Sequence, residues 1–201
     1  MIKKFLRSTI LLLLTTSVLI SCDPNDNVEP PTGTDPRDGS TWVFKYSTYD
    51  EAGNVTATSN QTFKGVEVTI GGSTWINLVN QTTLQPIIAI QKRTEGWWYV
   101  SYPGTTSSLW FKYPATLNET YPYIFGTCTV KDINASVTVP AGTYTGCYKV
   151  EGNDTNSLEV EFWFSNVGAI LIKFNTYDER AAGPASNVYK NESLELVSFT
   201  R

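Results

Sequence analysis

Apolar and polar residues alternate with a period of two along most of the chain from Thr41 onward. In "TWVFKYSTY" the residues Trp42, Phe44 and Tyr46 share one face, and Lys45 and Ser47 share the other. "DEAGN" then breaks the pattern as a turn. "VEVTI", Gly71-Gly72 and "STWINLV" read as a tight hairpin, because two consecutive glycines accept the positive φ angles of the primed turns. "PIIAIQKR", "WWYVSY" and "LWFKY" are short strands separated by "TEG" and "PGTTSS". No stretch sustains a 3.6-residue period. Roughly a dozen short strands with turns between them predict an all-β domain of meandering antiparallel strands. The sheet is expected to be strongly curved or barrel-like, with a two-sheet sandwich as the alternative.

The C-terminal strands allow a register to be written. "TYTGCYKVE", "SLEVEFWFS" and "GAILIKFN" are joined by "GNDTN" and "NV". If both joins are hairpins, 149 pairs with 159, 148 with 160, 161 with 173 and 162 with 172. Tyr144, Tyr148, Val150, Leu158, Val160, Phe162, Phe164, Ile170, Ile172 and Phe174 then share one face. On the other, Lys149 faces Glu159 and Glu161 faces Lys173, pairs that contribute about 0.2–1 kcal/mol each. A one-residue slip would turn a whole apolar set toward water.

The first forty residues follow another pattern. Lys3, Lys4 and Arg7 precede Ser8–Ile20, a 13-residue apolar and hydroxylated stretch. A bilayer-spanning helix needs about 20 apolar residues, so this length suits a signal-peptide core instead. It ends on Leu19-Ile20-Ser21-Cys22, which resembles the lipobox of bacterial lipoproteins. That resemblance implies cleavage before Cys22, lipidation of its sulfur and acylation of the new N-terminus. Several acyl chains anchor far better than one. The expected organisation is a signal peptide over 1–21, a lipidated cysteine and a Pro- and Asp-rich disordered tether over 22–40, and a β domain over 41–201. The tether holds Pro24, Pro30, Pro31 and Pro36, five carboxylates and no aromatic residue, too little apolar surface to offset ordering.

Charge narrows the partners. Removing residues 1–21 takes away three cations and no acid, leaving 12 Lys and Arg against 19 Asp and Glu, a net −7. No basic patch suited to phosphates stands out, so a nucleic-acid partner is not expected. The chain has no histidine, which removes the commonest general base, the histidine-dependent triads and most zinc and copper sites. No cofactor or metal is expected. Carboxylate-only chemistry survives, since glycosidases need two placed acids, but an acid on a strand or turn is by default solvated. A non-catalytic protein is the leading expectation, with a carboxylate-only glycosidase as an alternative.

Two groups of residues are candidates for a site. Ten aromatic residues lie between Glu95 and Gly126. Trp97, Tyr99, Phe111 and Tyr113 fall on odd positions, Trp98, Tyr102 and Trp110 on even ones, so both faces of these strands are aromatic. Exposed aromatic surface marks binding sites, and flat rings suit the C–H face of a sugar. Trp97, Trp98, Trp110 and Trp163 are the candidate stacking residues, Trp163 because alternation places it among Glu159, Glu161 and Lys173. Burial of both faces is the competing account. Cys128 and Cys147 are candidates for a disulfide in an oxidising compartment. Their opposite faces favour two free thiols as the alternative.

"VTVPAGTYTGCYKV" followed by "EFWFSNVGAILIKF" resembles a pattern in uncharacterised bacterial envelope lipoproteins of the periplasm or cell surface. The pattern is V-P-A-G-T-[FY], a gap, W-[FY], and Gly before an apolar strand. It is met here at Val139–Tyr144, Trp163-Phe164 and Gly168. With the lipobox, the resemblance implies a lipid-anchored β domain of the cell envelope, expected at the outer membrane, and no catalytic residues. The membrane is then one partner, through Cys22, and a glycan or an envelope protein the other. A curved half-barrel that carries a hydrophobic ligand or lipid is the remaining alternative.

Overall fold

A computed structural model describes residues 34–101, 104–124, 126–154, 157–181 and 187–201. Those residues form twelve strands: β1 (Thr41–Tyr49), β2 (Val55–Ile70), β3 (Ser73–Asn80), β4 (Pro86–Arg93), β5 (Gly96–Ser101), β6 (Ser107–Lys112), β7 (Thr120–Tyr123), β8 (Gly126–Val139), β9 (Gly142–Asp154), β10 (Ser157–Phe164), β11 (Leu171–Glu179) and β12 (Val188–Thr200). They make one antiparallel sheet in the order β6-β5-β4-β3-β2-β1-β12-β11-β10-β9-β8-β7. Each strand pairs with its neighbour in sequence, except where β12 returns to β1 and where β6 meets β7. At that seam side chains take over from the ladder. Tyr121 donates its hydroxyl to the Trp110 carbonyl at 3.2 Å, and Lys112 pairs with Glu119 at 2.7 Å. The sheet thereby curls almost shut into a barrel.

Local chemistry explains several connections. Ile70 pairs with Ser73, and Gly71 and Gly72 take φ angles of 58° and 81° between them. This is the primed turn that the two glycines predict. The β1–β2 turn is held by the Asp50 carboxylate, which accepts from the backbone amides of Ala52 and Asn54.

Alternation assigns the faces of most of β9–β11, but not of Leu158, and the register differs from the one predicted. Val160 opposes Gly152 rather than Tyr148, and Glu161 opposes Asn175 rather than Lys173. The β9–β10 ladder begins close to the turn, at Asp154 with Ser157, and bulges between Leu158 and Val160. The β10–β11 connection uses Ser165 to Ile170, not Asn166-Val167 alone. Ser165 closes it, its amide bonding the Ile170 carbonyl and its hydroxyl the Val167 carbonyl. Between the bulges both displacements are even, four residues and two, so side chains there keep their faces. Beyond the β9–β10 bulge Leu158 opposes Asn153 and Ser157 opposes Asp154, an odd displacement that takes Leu158 off the apolar face and buries Ser157 instead.

The concave side holds two packed clusters. The first collects Ile90, Trp97, Tyr99, Phe111, Val130, Val150, Phe162 and Phe164 from the arc β4–β10 that runs across the seam. Phe111 stacks on Phe164 at 4.6 Å and Phe164 on Phe162 at 5.1 Å between ring centroids. The second joins Trp42, Phe44, Phe63, Ile172 and Leu196 to Ala135, Val137 and Val139 from the end of the β8–β9 hairpin. That hairpin reaches β12, where the Ala141 amide donates to the Leu196 carbonyl at 2.9 Å.

The ordered domain starts before Thr41. Asp35 is 1 % exposed, its carboxylate lies 3.4 Å from Lys92 Nζ, and its carbonyl accepts from Arg201 Nε. The Gly39 amide donates to the Gly65 carbonyl, and the Asp38 carboxylate accepts from the Glu67 amide. Residues 35–40, read from sequence as the end of the tether, are therefore part of the fold.

Candidate functional site

The four candidate tryptophans separate once the strands are registered. Trp97 opposes Phe111 on the core side and is 4 % exposed. The β5–β6 ladder slips between Trp97 and Trp98, so Trp98 opposes Leu109 and Trp110 is left as the extra residue. The bulge directs both Trp110 and Phe111 at Phe164, with centroids 5.3 and 4.6 Å away. Trp97 and Trp110 are thus core residues, and strict alternation misplaces Trp110 because a bulge puts two consecutive side chains on one side.

Trp98 lies on the opposite side, half-buried, beside Trp75, Ala89 and Val100. The Arg93 guanidinium sits between the two indoles, 5.2 Å from the Trp75 ring and 4.5 Å from the Trp98 ring. The Gln91 side chain holds it there by accepting from Arg93 Nε at 2.9 Å. Arg93 is itself 4 % exposed and fixed by Gln91, so this aromatic pair is filled by a buried cation that a ligand cannot displace.

Trp163 is different. It is half-buried on the polar side of β10, with Lys149 Nζ at 5.4 Å and Lys173 Nζ at 5.7 Å from its ring. Register explains this bracket. Lys149, Trp163, Lys173, Glu195, Lys45 and Asn60 oppose one another in succession across β9, β10, β11, β12, β1 and β2. A second row runs beside it through Glu151, Glu161, Asn175, Ser193, Ser47 and Thr58. Glu161, Asn175, Ser193 and Ser47 are 8, 5, 2 and 2 % exposed. The burial of a polar row on the solvent side follows from two tyrosines that lie back along their strands. Tyr177 donates its hydroxyl to Glu161, and Tyr49 bonds Ser193 at 3.0 Å. Lys190 Nζ rests 3.8 Å from the Tyr49 ring centroid.

Glu161 is the electrostatic centre of this face. Lys149 Nζ lies 2.7 Å from its carboxylate, and Asn175 Nδ2 donates to it at 3.1 Å. Burial pushes its carboxyl upward, but the bonds from Lys149, Tyr177 and Asn175 outweigh this and hold it below the ordinary carboxylate value. Burial also disfavours the Lys149 ammonium, and its bonds to Glu161 and Glu151 raise it above its usual value instead. Glu161 is therefore an anchored carboxylate, the opposite of a general acid. The Asn175 Oδ1 atom is buried with no hydrogen-bond partner. The floor of the face thus holds a buried acceptor without a partner, on the strand that flanks a half-buried aromatic ring. Among the described residues no group of three or more His, Cys, Asp and Glu side chains is placed to hold a metal ion.

Sequence reasoning finds Trp163 by its period but misses Asn175, Tyr177, Ser193 and Tyr49. Their grouping depends on register across strands up to 144 residues apart. The only sequence trace is the run of hydroxyl and amide residues in "FNTYDE" and "NESLEL".

Cys128 and Cys147 are both free and buried, Cys128 in the first core cluster and Cys147 in the second. Cys128 opposes Gly152 and Cys147 opposes Ala135, so they lie well apart along the β8–β9 ladder and form no disulfide here. Burial pushes the Cys128 thiol up to about 12 and raises that of Cys147. Cys22 lies outside the described residues.

Comparison with protein-family models, curated proteins and solved structures returns no match for this chain.

Proposed function

We propose that this chain is a lipid-anchored lipoprotein of the cell envelope, held at the outer membrane through Cys22, whose barrel is a non-catalytic binding module. Its ligand surface is the polar side of β9–β12 and β1, and the ligand is a glycan. The observation that carries this reading is Trp163, a half-buried ring set among polar side chains and bracketed by the partly exposed Lys149 and Lys173. A sugar ring offers an apolar C–H face for the indole and acceptor oxygens for the two lysine ammonium groups beside it.

The test is a glycan array probed with the purified protein and with Trp163→Ala. Loss of every glycan signal in the variant, with an unchanged melting profile, is the expected outcome. A wild-type protein that binds no glycan, or a variant that binds as before, overturns the assignment of this face. Anchoring is tested separately by labelled palmitate in cells. Label is expected on the wild type and not on Cys22→Ala, and an unlabelled wild type rejects the lipoprotein reading.

A further inference from the structure

Eight strands, or about that number, close around an interior that side chains just fill, and twelve enclose more. Here the excess is not shared evenly. In the arc β4–β10 the concave side is filled, with Phe111 and Phe164 at 0 %, Val130 at 0 % and Val150 at 1 % exposure. In the opposite arc the concave residues Phe174, Leu194 and Tyr46 oppose one another in one row across β11, β12 and β1. All three stay half-buried although they face the same side as Phe162. Leu78 on β3 and Ile88 on β4 oppose each other on that side and are half-buried too. Leu78 packs against both core clusters, Phe174 against the first and Leu194 against the second. Leu78 thus lies where the two clusters meet, with Phe174 and Ile88 at the edge of the first and Leu194 at the edge of the second. No helix among the described residues fills this space.

We propose that this concave wall binds a single-chain amphiphile whose head group donates hydrogen bonds. The apolar tail lies against Phe174, Leu194, Leu78 and Ile88. The head sits one row further along, where Thr176, Glu192 and Thr48 replace the apolar residues. Glu192 accepts from the Tyr46 hydroxyl at 2.7 Å, which fixes a carboxylate at the boundary between the apolar and polar rows. An amine or alcohol head finds an acceptor there, and a carboxylate head meets a like charge. This site is on the other side of the sheet from Trp163, so the two assignments stand or fall separately.

The experiment uses the mature chain with Cys22→Ser, so that no detergent competes. N-phenyl-1-naphthylamine, an uncharged dye that brightens in apolar surroundings, is titrated in and then displaced by dodecylamine, dodecanol or dodecanoate below their micellar concentrations. Saturable binding of the dye is expected, with dodecylamine displacing it at a concentration about tenfold below that for dodecanoate. Glu192→Gln keeps an acceptor for Tyr46 and removes the charge, so the preference for amine over carboxylate should collapse. Leu194→Trp fills the wall and should weaken dye binding about tenfold or more. If that variant misfolds, Leu78→Trp fills the same space from the facing strand. No saturable binding by the wild type, undiminished binding in a folded filling variant, or equal displacement by amine and carboxylate each overturns the proposal.

Discussion

The arc β4–β10 and the arc β11–β12–β1–β2–β3 use the same antiparallel ladder and the same inward alternation, yet they spend their side chains differently. In the first, aromatic rings from β6, β9 and β10 meet in the middle: Phe111 stacks on Phe164 and meets Tyr148 edge-on at 5.4 Å. In the second, Phe174 stacks on Phe162 at 4.9 Å, but Leu194, Tyr46 and Leu78 remain half-buried. The solvent side reverses the contrast. Over β3–β5 it holds Trp75, Asn77 and Trp98, each with a buried polar atom that lacks a partner. Over β9–β1 it holds a network in which Glu161, Lys149, Lys173 and Glu195 are all paired and where, among the described residues, Asn175 Oδ1 is the one side-chain polar atom buried without a partner. Stability and chemistry are thus placed on different parts of one sheet. The seam arc supplies the packing that keeps the barrel shut, and the opposite arc carries the half-exposed groups that a ligand can use.

The largest effect expected from this contrast is in the core. Phe164→Ala removes a fully buried ring that contacts Trp110, Phe111 and Phe162, and should cost about 3–5 kcal/mol. Leu194→Ala removes a half-buried side chain from the open arc and should cost less than about 2 kcal/mol. Urea melts with equal m-values would measure both. Equal losses would erase the distinction between the arcs.

Next in size is the carboxylate on the polar side. Glu161→Gln weakens three hydrogen bonds at a site that is 8 % exposed, and should cost about 1–3 kcal/mol. Because the folded state holds the Glu161 carboxyl below its ordinary value, its contribution is complete above the unfolded value. It is lost as pH falls through the lower folded value. The wild-type unfolding free energy should therefore drop on acidification below about pH 4.5, and the variant should drop less. Lys149 acts with the opposite sign: its raised value keeps its contribution intact up to alkaline pH and loses it only as pH rises further. Chemical melts from pH 3 to 7 test the acid limb, and parallel curves for the two proteins would show that Glu161 is not the group responsible.

The sequence carries much of this architecture but not its pairings. Period-two alternation predicts roughly a dozen strands and marks out nine of the twelve, together with the Gly71-Gly72 turn and the face of most residues from Thr143 to Asn175; β7, β8 and β12 are not delimited by it. It mispairs Lys149 with Glu159 because alternation constrains a register only modulo two. Between the bulges, displacements of four and two residues leave faces intact while replacing each cross-strand partner; at Leu158 an odd displacement changes the face as well. What fixes the true register is the length and bonding of the Ser165–Ile170 connection and the bulge after Leu158, neither of which has a sharp sequence signal. Trp110 fails for the related reason that a bulge suspends alternation locally. Trp163 succeeds because an even slip cannot move it. The buried row Glu161-Asn175-Ser193-Ser47 lies beyond any local pattern, since β12 joins β1 from the far end of the chain.

The smallest effect tests that corrected register directly. In the predicted pairing Lys173 would face Glu161; in the structure Lys173 Nζ lies 2.8 Å from Glu195 and opposes it across β11–β12. Both side chains are about one-fifth exposed, so solvent screens the pair and its coupling should be about 0.2–1 kcal/mol. A double-mutant cycle on Lys173→Met and Glu195→Gln isolates that coupling from the loss of packing each change brings. The parallel cycle on Lys173→Met and Glu161→Gln should give a smaller value, because Glu161 is held by Lys149, Asn175 and Tyr177 instead. Both cycles share one variant and one solvent condition, so their order does not depend on absolute stability. A larger coupling to Glu161 than to Glu195 would restore the hairpin register read from alternation and dismantle the rows on which the Trp163 site is built.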